Sequence, residues 1–367
     1  MSLRIAARTS VMPGIAVLVL GMGCTSAPST ATSAGTTEPR ARSDVFTCPV
    51  DGSGTATNAD GPARDQQLQV VTTVAPLTSI VANIAGDRAR VTGIIPEGED
   101  SHTFEPKPSA AKALTDADVV FVNGLQLEDP TKELARSNTP ANSQIVELGT
   151  RTITPEQYVF DASFPAEDGK PNPHLWTNPP MAACYARIAA STLSQADPAN
   201  ASYYEDNAAM YTAKLARLDE LMKAGTASLP EGNRKLLTYH DAYAYFAEHY
   251  GWRVIGAVQV SSFEDPTPKE VAALIEQVDA EKVPAIFGSE VFPSPVLRQI
   301  ADETGVRYVD DLRDDDLPGV PGDPAHSLLG LLKFDFVTMV SSLGGDATGL
   351  AAFDPTDVAT DHATYPQ

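Results

Sequence analysis

The sequence predicts an α/β fold in which two lobes, each with a parallel sheet, are joined by one long rigid helix, with the ligand site in the cleft between the lobes. From Leu68 onward, short β-rich runs alternate with helical stretches, and this alternation is typical of βαβ units. The alternation stops over 181–224, where Ala, Leu, Met and Lys dominate with helical spacing. It resumes at Lys235. A cleft between two such lobes, at the carboxyl ends of strands, is a natural ligand site.

The first 24 residues have the features of a secretory signal. Arg4 and Arg8 precede an apolar run over 11–20, as in the charged and apolar regions of signal peptides. The run is too short to span a bilayer as a helix, which needs ~20 residues. The segment ending at Cys24 resembles a bacterial lipoprotein box, so residues 1–24 are predicted to be a signal peptide and Cys24 a lipidation site. The alternative is ordinary cleavage nearby without a lipid.

Residues 25–66 are rich in Ser, Thr, Ala, Gly and Pro. This composition buries too little apolar surface to fold, so the segment is predicted to be a flexible tether. If Cys24 is acylated, Cys48 and Cys184 remain, and two leftover cysteines in an oxidising compartment often pair. A disulfide between them would tie the end of the tether to the folded part. A free, buried Cys184 is the alternative.

The alternation of β-rich and helical segments also predicts the boundaries of the two lobes, the linking helix and the tail. The N-terminal α/β lobe is predicted over 67–197, the linking helix over 198–230, the C-terminal α/β lobe over 231–345 and a poorly ordered tail over 346–367. The predicted strands cover 68–73, 89–95, 119–123, 144–148, 235–239, 252–260, 285–288 and 307–310. The predicted helices of the lobes cover 76–85, 109–116, 242–250, 268–281, 295–304 and 326–343.

The charge balance bears on the class of partner. The chain has 26 basic and 48 acidic residues and a net charge of −22. This balance argues against nucleic-acid binding, which needs a basic surface. It suits a soluble protein whose cargo is a cation, and solubility alone is the plainer interpretation.

Three of the six histidines lie in loops or at strand ends. His102 follows the second predicted strand, His174 precedes a helix and His240 ends the strand 235–239. Asp310 ends the strand 307–310 and opens an acidic loop. Three imidazoles and one carboxylate form a closed four-ligand set that suits Zn²⁺, whereas more carboxylates would favour Mn²⁺ or Ca²⁺. These residues are far apart in sequence, so spacing alone does not show that they meet.

Four segments in order resemble those of the TroA-like (ZnuA-like) metal-binding proteins of ABC importers, also called cluster A-I or cluster 9. They are HTFEPKPS from His102, PHLWTNP around His174, HDAYAYFAEHYG from His240 and VDDL around Asp310. The resemblance covers about 68–343. It implies that His102, His174, His240 and Asp310 are the metal ligands. A histidine at the third position is usual in zinc members, and glutamate there in manganese members.

The sequence departs from the family pattern at several positions. Asn172 and Asn178 stand where Asp is common, and a carboxylate strengthens a metal-bound imidazole more than an amide does. No histidine lies between Gln126 and Pro173, where zinc members often carry a His-rich loop. Asp311 is an alternative to Asp310, which the register Asp-x-Leu favours.

The resemblance implies an exported, lipid-anchored solute-binding protein, not an enzyme, on the extracytoplasmic face of the membrane. Its cargo would be Zn²⁺, with Mn²⁺ as second choice. Its partners would be the membrane permease of an ABC importer and the bilayer, and a metallochaperone is a further candidate partner; a monomer is expected. The alternatives are a manganese or iron importer component, a lipoprotein adhesin and, less favoured, a zinc hydrolase, which would need an open metal position.

Overall fold

The structure is a computed structural model that describes residues 46–50, 66–161, 163–230, 232–259, 266–289 and 294–365. The predicted signal peptide with Cys24 and most of the predicted tether lie outside these described residues. No described helix is both long and apolar enough to cross a bilayer. The strands are β1 (Leu68–Thr72), β2 (Ala89–Gly93), β3 (Val119–Val122), β4 (Gln144–Glu147), β5 (Lys235–Thr238), β6 (Arg253–Ala257), β7 (Ala285–Ser289) and β8 (Arg307–Leu312).

The described residues also form eleven α-helices. They are α1 (Ala75–Ala85), α2 (Pro108–Thr115), α3 (Asp129–Asn138), α4 (Leu148–Thr152), α5 (Pro179–Ala196), α6 (Ala201–Ser228), α7 (Ala244–Tyr250), α8 (Pro268–Glu281), α9 (Pro295–Thr304), α10 (Leu328–Ser342) and α11 (Thr348–Ala351).

Each lobe is built on a four-stranded parallel sheet. The strand order is β2-β1-β3-β4 in the N-terminal lobe and β6-β5-β7-β8 in the C-terminal lobe, with every pair parallel. All residues of β3 (VVFV) and β7 (AIFGS) are buried, as expected when helices cover both faces of a sheet. The predicted fold class is therefore confirmed.

The linking helix α6 has 28 residues and is about 42 Å long at 1.5 Å per residue. Its buried apolar side chains recur at helical spacing and pack against α1, α5 and α10. One hydrophobic core runs from the N-terminal sheet through α5 and α6 to α10, and a smaller second core lies around α8 and α9 in the C-terminal lobe. The linking helix is thus part of a continuous packed frame.

Helix α3 and the C-terminal segment are two of the places where the structure differs from the sequence predictions. Helix α3 was not predicted because most of its residues (DPTKELARSN) are polar, and only Thr131 and Ala135 are buried. The segment predicted to be a poorly ordered tail instead folds back onto the N-terminal lobe. Thr364 forms a parallel bridge with Thr92, and Asn83 Nδ2 donates to Asp357 Oδ1 at 2.8 Å.

Cys48 and Cys184 are joined by a disulfide in the structure. The bond links the short segment 46–50 to α5, across 136 residues of sequence. Phe46 and Val50 pack beside it against the main core. The predicted tether is therefore bonded covalently, through Cys48, to α5, the helix that follows His174.

Candidate metal centre

Three imidazoles converge between the lobes. His102 lies in the loop after β2, His174 lies just before α5, and His240 is the second residue after the end of β5. The Nε2 atom of His174 is 3.1 Å from Nε2 of His102 and 2.9 Å from Nε2 of His240. His174 and His240 are buried, while His102 is half-buried. The structure thus brings together three residues that are far apart in sequence.

The fourth residue of the cluster is Asp315. Its carboxylate and the ring nitrogens of the three histidines offer ligand atoms that all lie within 4.8 Å of one another. The Oδ1 atom of Asp315 is 3.8 Å from Nε2 of His174, and its Oδ2 accepts a hydrogen bond of 2.9 Å from Ser101 Oγ. One oxygen of this carboxylate therefore faces the three imidazoles.

The expectation that Asp310 joins the histidines is corrected by the structure. The side chain of Asp310 is 59% exposed and pairs with Arg298 at 3.3 Å, and Asp311 is exposed as well. Strand β8 continues to Leu312, past its predicted end, and its pairing with β7 is irregular near Ser289. Within residues 307–317 the motif Asp-x-Leu occurs twice, at Asp310 and again at Asp315, so a comparison of both registers is the sequence signal that could have identified Asp315.

Contacts from both lobes hold the loop that carries Asp315. Asp314 has a positive φ of 41°, which turns the chain sharply, and its carbonyl accepts a 3.0 Å hydrogen bond from Trp176 Nε1. Asp335 Oδ1 accepts from the backbone N–H of Arg313 at 2.9 Å, and Tyr243 Oη donates to Asp335 Oδ2 at 2.8 Å. These buried contacts direct Asp315 toward the imidazoles.

Hydrogen bonds on the far side of two rings set their tautomers. Asn172 Oδ1 lies 2.9 Å from Nδ1 of His174, and Gln259 Oε1 lies 3.3 Å from Nδ1 of His240. An amide oxygen only accepts, so each Nδ1 carries the proton and each Nε2 presents a lone pair. Both lone pairs face the centre of the cluster.

Burial makes the histidine charges costly. The pKa of His174 lies well below its usual value because of burial, with further lowering by His240 and His102. Burial likewise lowers the pKa of His102 well below its usual value, with smaller effects from His240 and Lys170. Burial raises the pKa of Asp315, and the charge of His240 opposes the rise. The two imidazoles thus stay neutral, as metal binding requires, and a bound dication would favour the ionised carboxylate.

Aromatic rings pack around the cluster. The ring of Phe164 lies 5.8 Å from those of His102 and His174, and the indole of Trp176 contacts His174 edge-on at 5.1 Å. A cavity of about 350 Å³ opens beside His102, with Phe164 and Lys170 among its lining residues. His102 is therefore the member of the cluster that is reached first from this cavity.

The residues fit a metal ion on two grounds. Buried Asp315 Oδ1 has no hydrogen-bond partner among the residues that the structure describes, and an unpaired buried oxygen is costly unless a cation or a donor satisfies it. Ligands of a tetrahedral zinc ion lie about 3.3 Å apart, close to the 2.9 and 3.1 Å between the imidazole nitrogens. A four-coordinate ion therefore fits with only small adjustments of the side chains.

Residues 70–339 match the family model described as zinc-uptake complex component A, periplasmic (ZnuA). Among curated proteins, the chain is 29% identical over 296 residues to the manganese-binding lipoprotein MntA of Halalkalibacterium halodurans, covering 81% of this chain and 93% of that protein. It is 30% identical over 283 residues to the metal ABC transporter substrate-binding lipoprotein FimA of Streptococcus parasanguinis, covering 75% and 88%.

Solved structures of metal-binding proteins have a similar fold. The periplasmic zinc-binding protein TroA of Treponema pallidum superposes with a TM-score of 0.69 at 25% identity, over 76% of this chain and 99% of that one. A cadmium-bound periplasmic metal-binding protein of Candidatus Liberibacter asiaticus gives 0.67 at 26% identity, over 76% and 100%.

Proposed function

Because this chain belongs to the ZnuA family of periplasmic zinc-uptake components, we propose that it captures one Zn²⁺ ion with His102, His174, His240 and Asp315 and delivers it to an ABC importer. The coarser statement follows from the family itself: the protein is a metal-binding solute-binding protein of an ABC importer, and not an enzyme. The observation that carries the finer proposal is the convergence of three Nε2 atoms and an unsatisfied carboxylate oxygen on one point.

The donor set supports zinc over manganese. Three nitrogens and one oxygen suit a four-coordinate Zn²⁺ ion, while Mn²⁺ favours more oxygen ligands. The hydrogen bond from Ser101 occupies the second oxygen of Asp315, which disfavours bidentate coordination by this carboxylate. Manganese is the second candidate, because relatives such as MntA are named as manganese-binding.

Ligands from both lobes make the ion a link across the cleft. His102 and His174 belong to the N-terminal lobe, and His240 and Asp315 to the C-terminal lobe. The binding free energy of the ion is therefore added to the stability of the closed arrangement, so zinc should raise the unfolding temperature. Release to the permease requires the two pairs of ligands to separate.

The protein acts on the extracytoplasmic face of the membrane, as its family does. Acylation of Cys24 is the proposed anchor, and the membrane permease of the importer is the proposed partner. Loading by a metallochaperone and a monomeric state stay predictions from the sequence.

The test is metal analysis of the purified protein, followed by titration of the metal-free protein with Zn²⁺ and Mn²⁺ against a chromophoric chelator. We expect one Zn²⁺ per chain and a much weaker affinity for Mn²⁺. His240→Ala should abolish tight binding. His249→Ala is the matched control, because its Nε2 contacts Asp219 on the linking helix at 2.7 Å, outside the cluster. Equal zinc affinity in both variants, or preferential binding of Mn²⁺ by the wild type, would overturn the proposal.

A further inference from the structure

We propose that Asp161 is a positioning residue for metal binding, which acts on His174 through the side-chain amide of Asn172. The proposal rests on the proposed function, because it concerns how one of its ligands is held. Asp161 lies outside every motif of the sequence analysis, and it does not touch the histidines. Its effect would therefore be transmitted through one intermediate side chain.

A buried chain of hydrogen bonds connects the two residues. Asn172 Oδ1 lies 2.9 Å from His174 Nδ1 and also accepts from the backbone N–H of His174 at 3.1 Å. On its other side, Asn172 Nδ2 donates to Asp161 Oδ2 at 3.0 Å. Asn172 is completely buried, so water does not compete for these contacts. The order of the chain is carboxylate, amide, imidazole.

The carboxylate of Asp161 helps to fix which way the amide faces. Asn172 Nδ2 contacts two acceptors, Asp161 Oδ2 and the carbonyl of Asp241 at 2.8 Å. Two acceptors on one side require the NH₂ group there, which leaves the amide oxygen toward His174. That oxygen, together with the backbone of Asp241, which also hydrogen-bonds the His174 ring, keeps the proton on Nδ1 and the lone pair on Nε2, the atom that faces the metal position. A flipped amide would present a donor to Nδ1 and favour the tautomer that cannot bind the ion through Nε2.

The carboxyl group of Asp161 is a stronger hydrogen-bond acceptor than an amide when it is ionised. A carboxylate that accepts from an amide polarises it, so the amide oxygen becomes a stronger acceptor for the imidazole N–H and the imidazole a better metal ligand. In this chain an amide, Asn172, occupies the position next to His174, and the carboxylate stands one residue further out. The loss of basicity expected from an amide at position 172 is thereby offset.

The substitution Asp161→Asn tests the contact with Asn172 without changing the loop conformation that Asp161 also stabilises. The other oxygen, Asp161 Oδ1, accepts from the backbone N–H groups of Ser163 and Phe164 at 3.0 and 2.9 Å. An amide oxygen can accept both bonds, so the turn that presents Phe164 to His102 is retained. In this variant an NH₂ group takes the place of Oδ2 and faces the NH₂ group of Asn172. Asn172 Nδ2 therefore loses its acceptor at position 161, and the orientation of the Asn172 amide is no longer fixed.

The experiment measures zinc affinity of the intact protein by chelator competition in four forms: wild type, Asp161→Asn, Asn172→Asp and the double variant. We expect Asp161→Asn to weaken zinc binding about 10- to 100-fold. The double variant exchanges the carboxylate and the amide, so it restores the donor–acceptor pair between positions 161 and 172 and places the carboxylate next to His174, while the Asp241 carbonyl loses the donor that Asn172 supplied. It should recover part of the lost affinity. Asp168→Asn, on an exposed acid of the same loop, is the control and should bind like the wild type.

A second readout is the tautomer of His174 in the metal-free protein, from the nitrogen chemical shifts of its ring. The wild type and the double variant should carry the proton on Nδ1, and Asp161→Asn should shift it toward Nε2. Unchanged affinity and an unchanged tautomer in a folded Asp161→Asn variant would overturn the inference and leave the proposed function intact. Weaker zinc binding by Asp161→Asn with an unchanged tautomer of His174 would assign Asp161 a purely structural role and also overturn it. Failure of the proposed function would instead appear as absence of zinc binding in the wild type.

Discussion

The indole of Trp176 donates a 3.0 Å hydrogen bond to the carbonyl oxygen of Asp314 and so connects the N-terminal lobe to the loop that carries Asp315. The same indole packs edge-on against the ring of His174. A single buried side chain therefore holds one metal-facing residue by a ring contact and another through its loop. The contact joins the two lobes at the point where their ligands meet.

Trp176→Phe should weaken zinc binding about tenfold, because the loop with Asp315 loses its bond to the other lobe. The orphaned carbonyl should also cost about 1–3 kcal/mol in the free energy of unfolding. Trp252→Phe is the matched control, since Trp252 is equally buried and donates to Thr226 Oγ1 at 2.9 Å. It should lose a similar amount of stability and keep its zinc affinity. Equal zinc affinity in the two variants, from parallel competition titrations, would contradict the role of the lobe contact.

The two copies of the motif Asp-x-Leu can be told apart by substitution. Asp315→Asn should reduce zinc affinity roughly 100-fold, because an amide oxygen carries no charge to stabilise the dication. Asp310→Asn should change it little, since Asp310 is exposed and paired with Arg298. Isothermal titration with Zn²⁺ at constant pH measures both. The opposite ranking would return the fourth position to Asp310.

The buried carboxyl of Asp335 should make a contribution to the stability of the metal-free protein that falls as the pH rises from about 4 to about 7. Burial raises the pKa of Asp335 to about 7, despite hydrogen bonds from Arg313 and Tyr243 that oppose the rise. The folded state therefore binds this proton more tightly than the unfolded state, whose carboxyl has its ordinary pKa of 3.8. Its contribution to stability is complete below about pH 4 and is lost as the pH rises through about 7.

Between pH 5.5 and 7.5 this group should account for about 2 kcal/mol of the change in the free energy of unfolding. Urea unfolding of the metal-free protein at several pH values measures it. Asp335→Asn removes the titrating group and keeps an acceptor for the Arg313 N–H. The free energy of unfolding of the variant should therefore fall less, or rise more, between pH 5.5 and 7.5 than that of the wild type, in which the lowered pKa values of His102 and His174 act in the opposite direction to Asp335. An equal slope in the variant and the wild type would show that Asp335 does not titrate in this range.

The disulfide between Cys48 and Cys184 should stabilise the fold without affecting the metal. Cys48→Ser opens a loop of 136 residues and should lower the free energy of unfolding by about 3 kcal/mol, chiefly by freeing the unfolded chain. Zinc affinity should stay within about twofold, because neither cysteine belongs to the cluster. Thermal unfolding and zinc competition on the same samples check both parts. A large loss of affinity would mean that the bond also shapes the site.

Most strands and helices could be predicted from the sequence, because the burial of one or both faces of an element produces a local pattern of apolar residues. Buried strands such as β3 appear as continuous apolar runs, and helix α8 is predicted over its full length, with Thr267 and Glu270 forming its capping box. Helix α3 was missed because it buries almost nothing that would create a pattern. The last twenty described residues were predicted to be a poorly ordered tail. Their order depends on contacts with residues that are far away in the sequence, such as the bridge between Thr364 and β2, and no local pattern indicates such contacts.

The sequence by itself determined the two-lobed α/β class, the ZnuA-like resemblance and the three histidines as candidates, because each depends on residue type and local order. Only the tertiary structure decided that Asp315 faces the imidazoles and Asp310 faces solvent. That choice depends on where β8 ends and on the turn at Asp314, which contacts from Trp176 and Asp335 hold in place. These contacts join residues from 22 to 138 positions apart, and no local pattern encodes a partner at that distance.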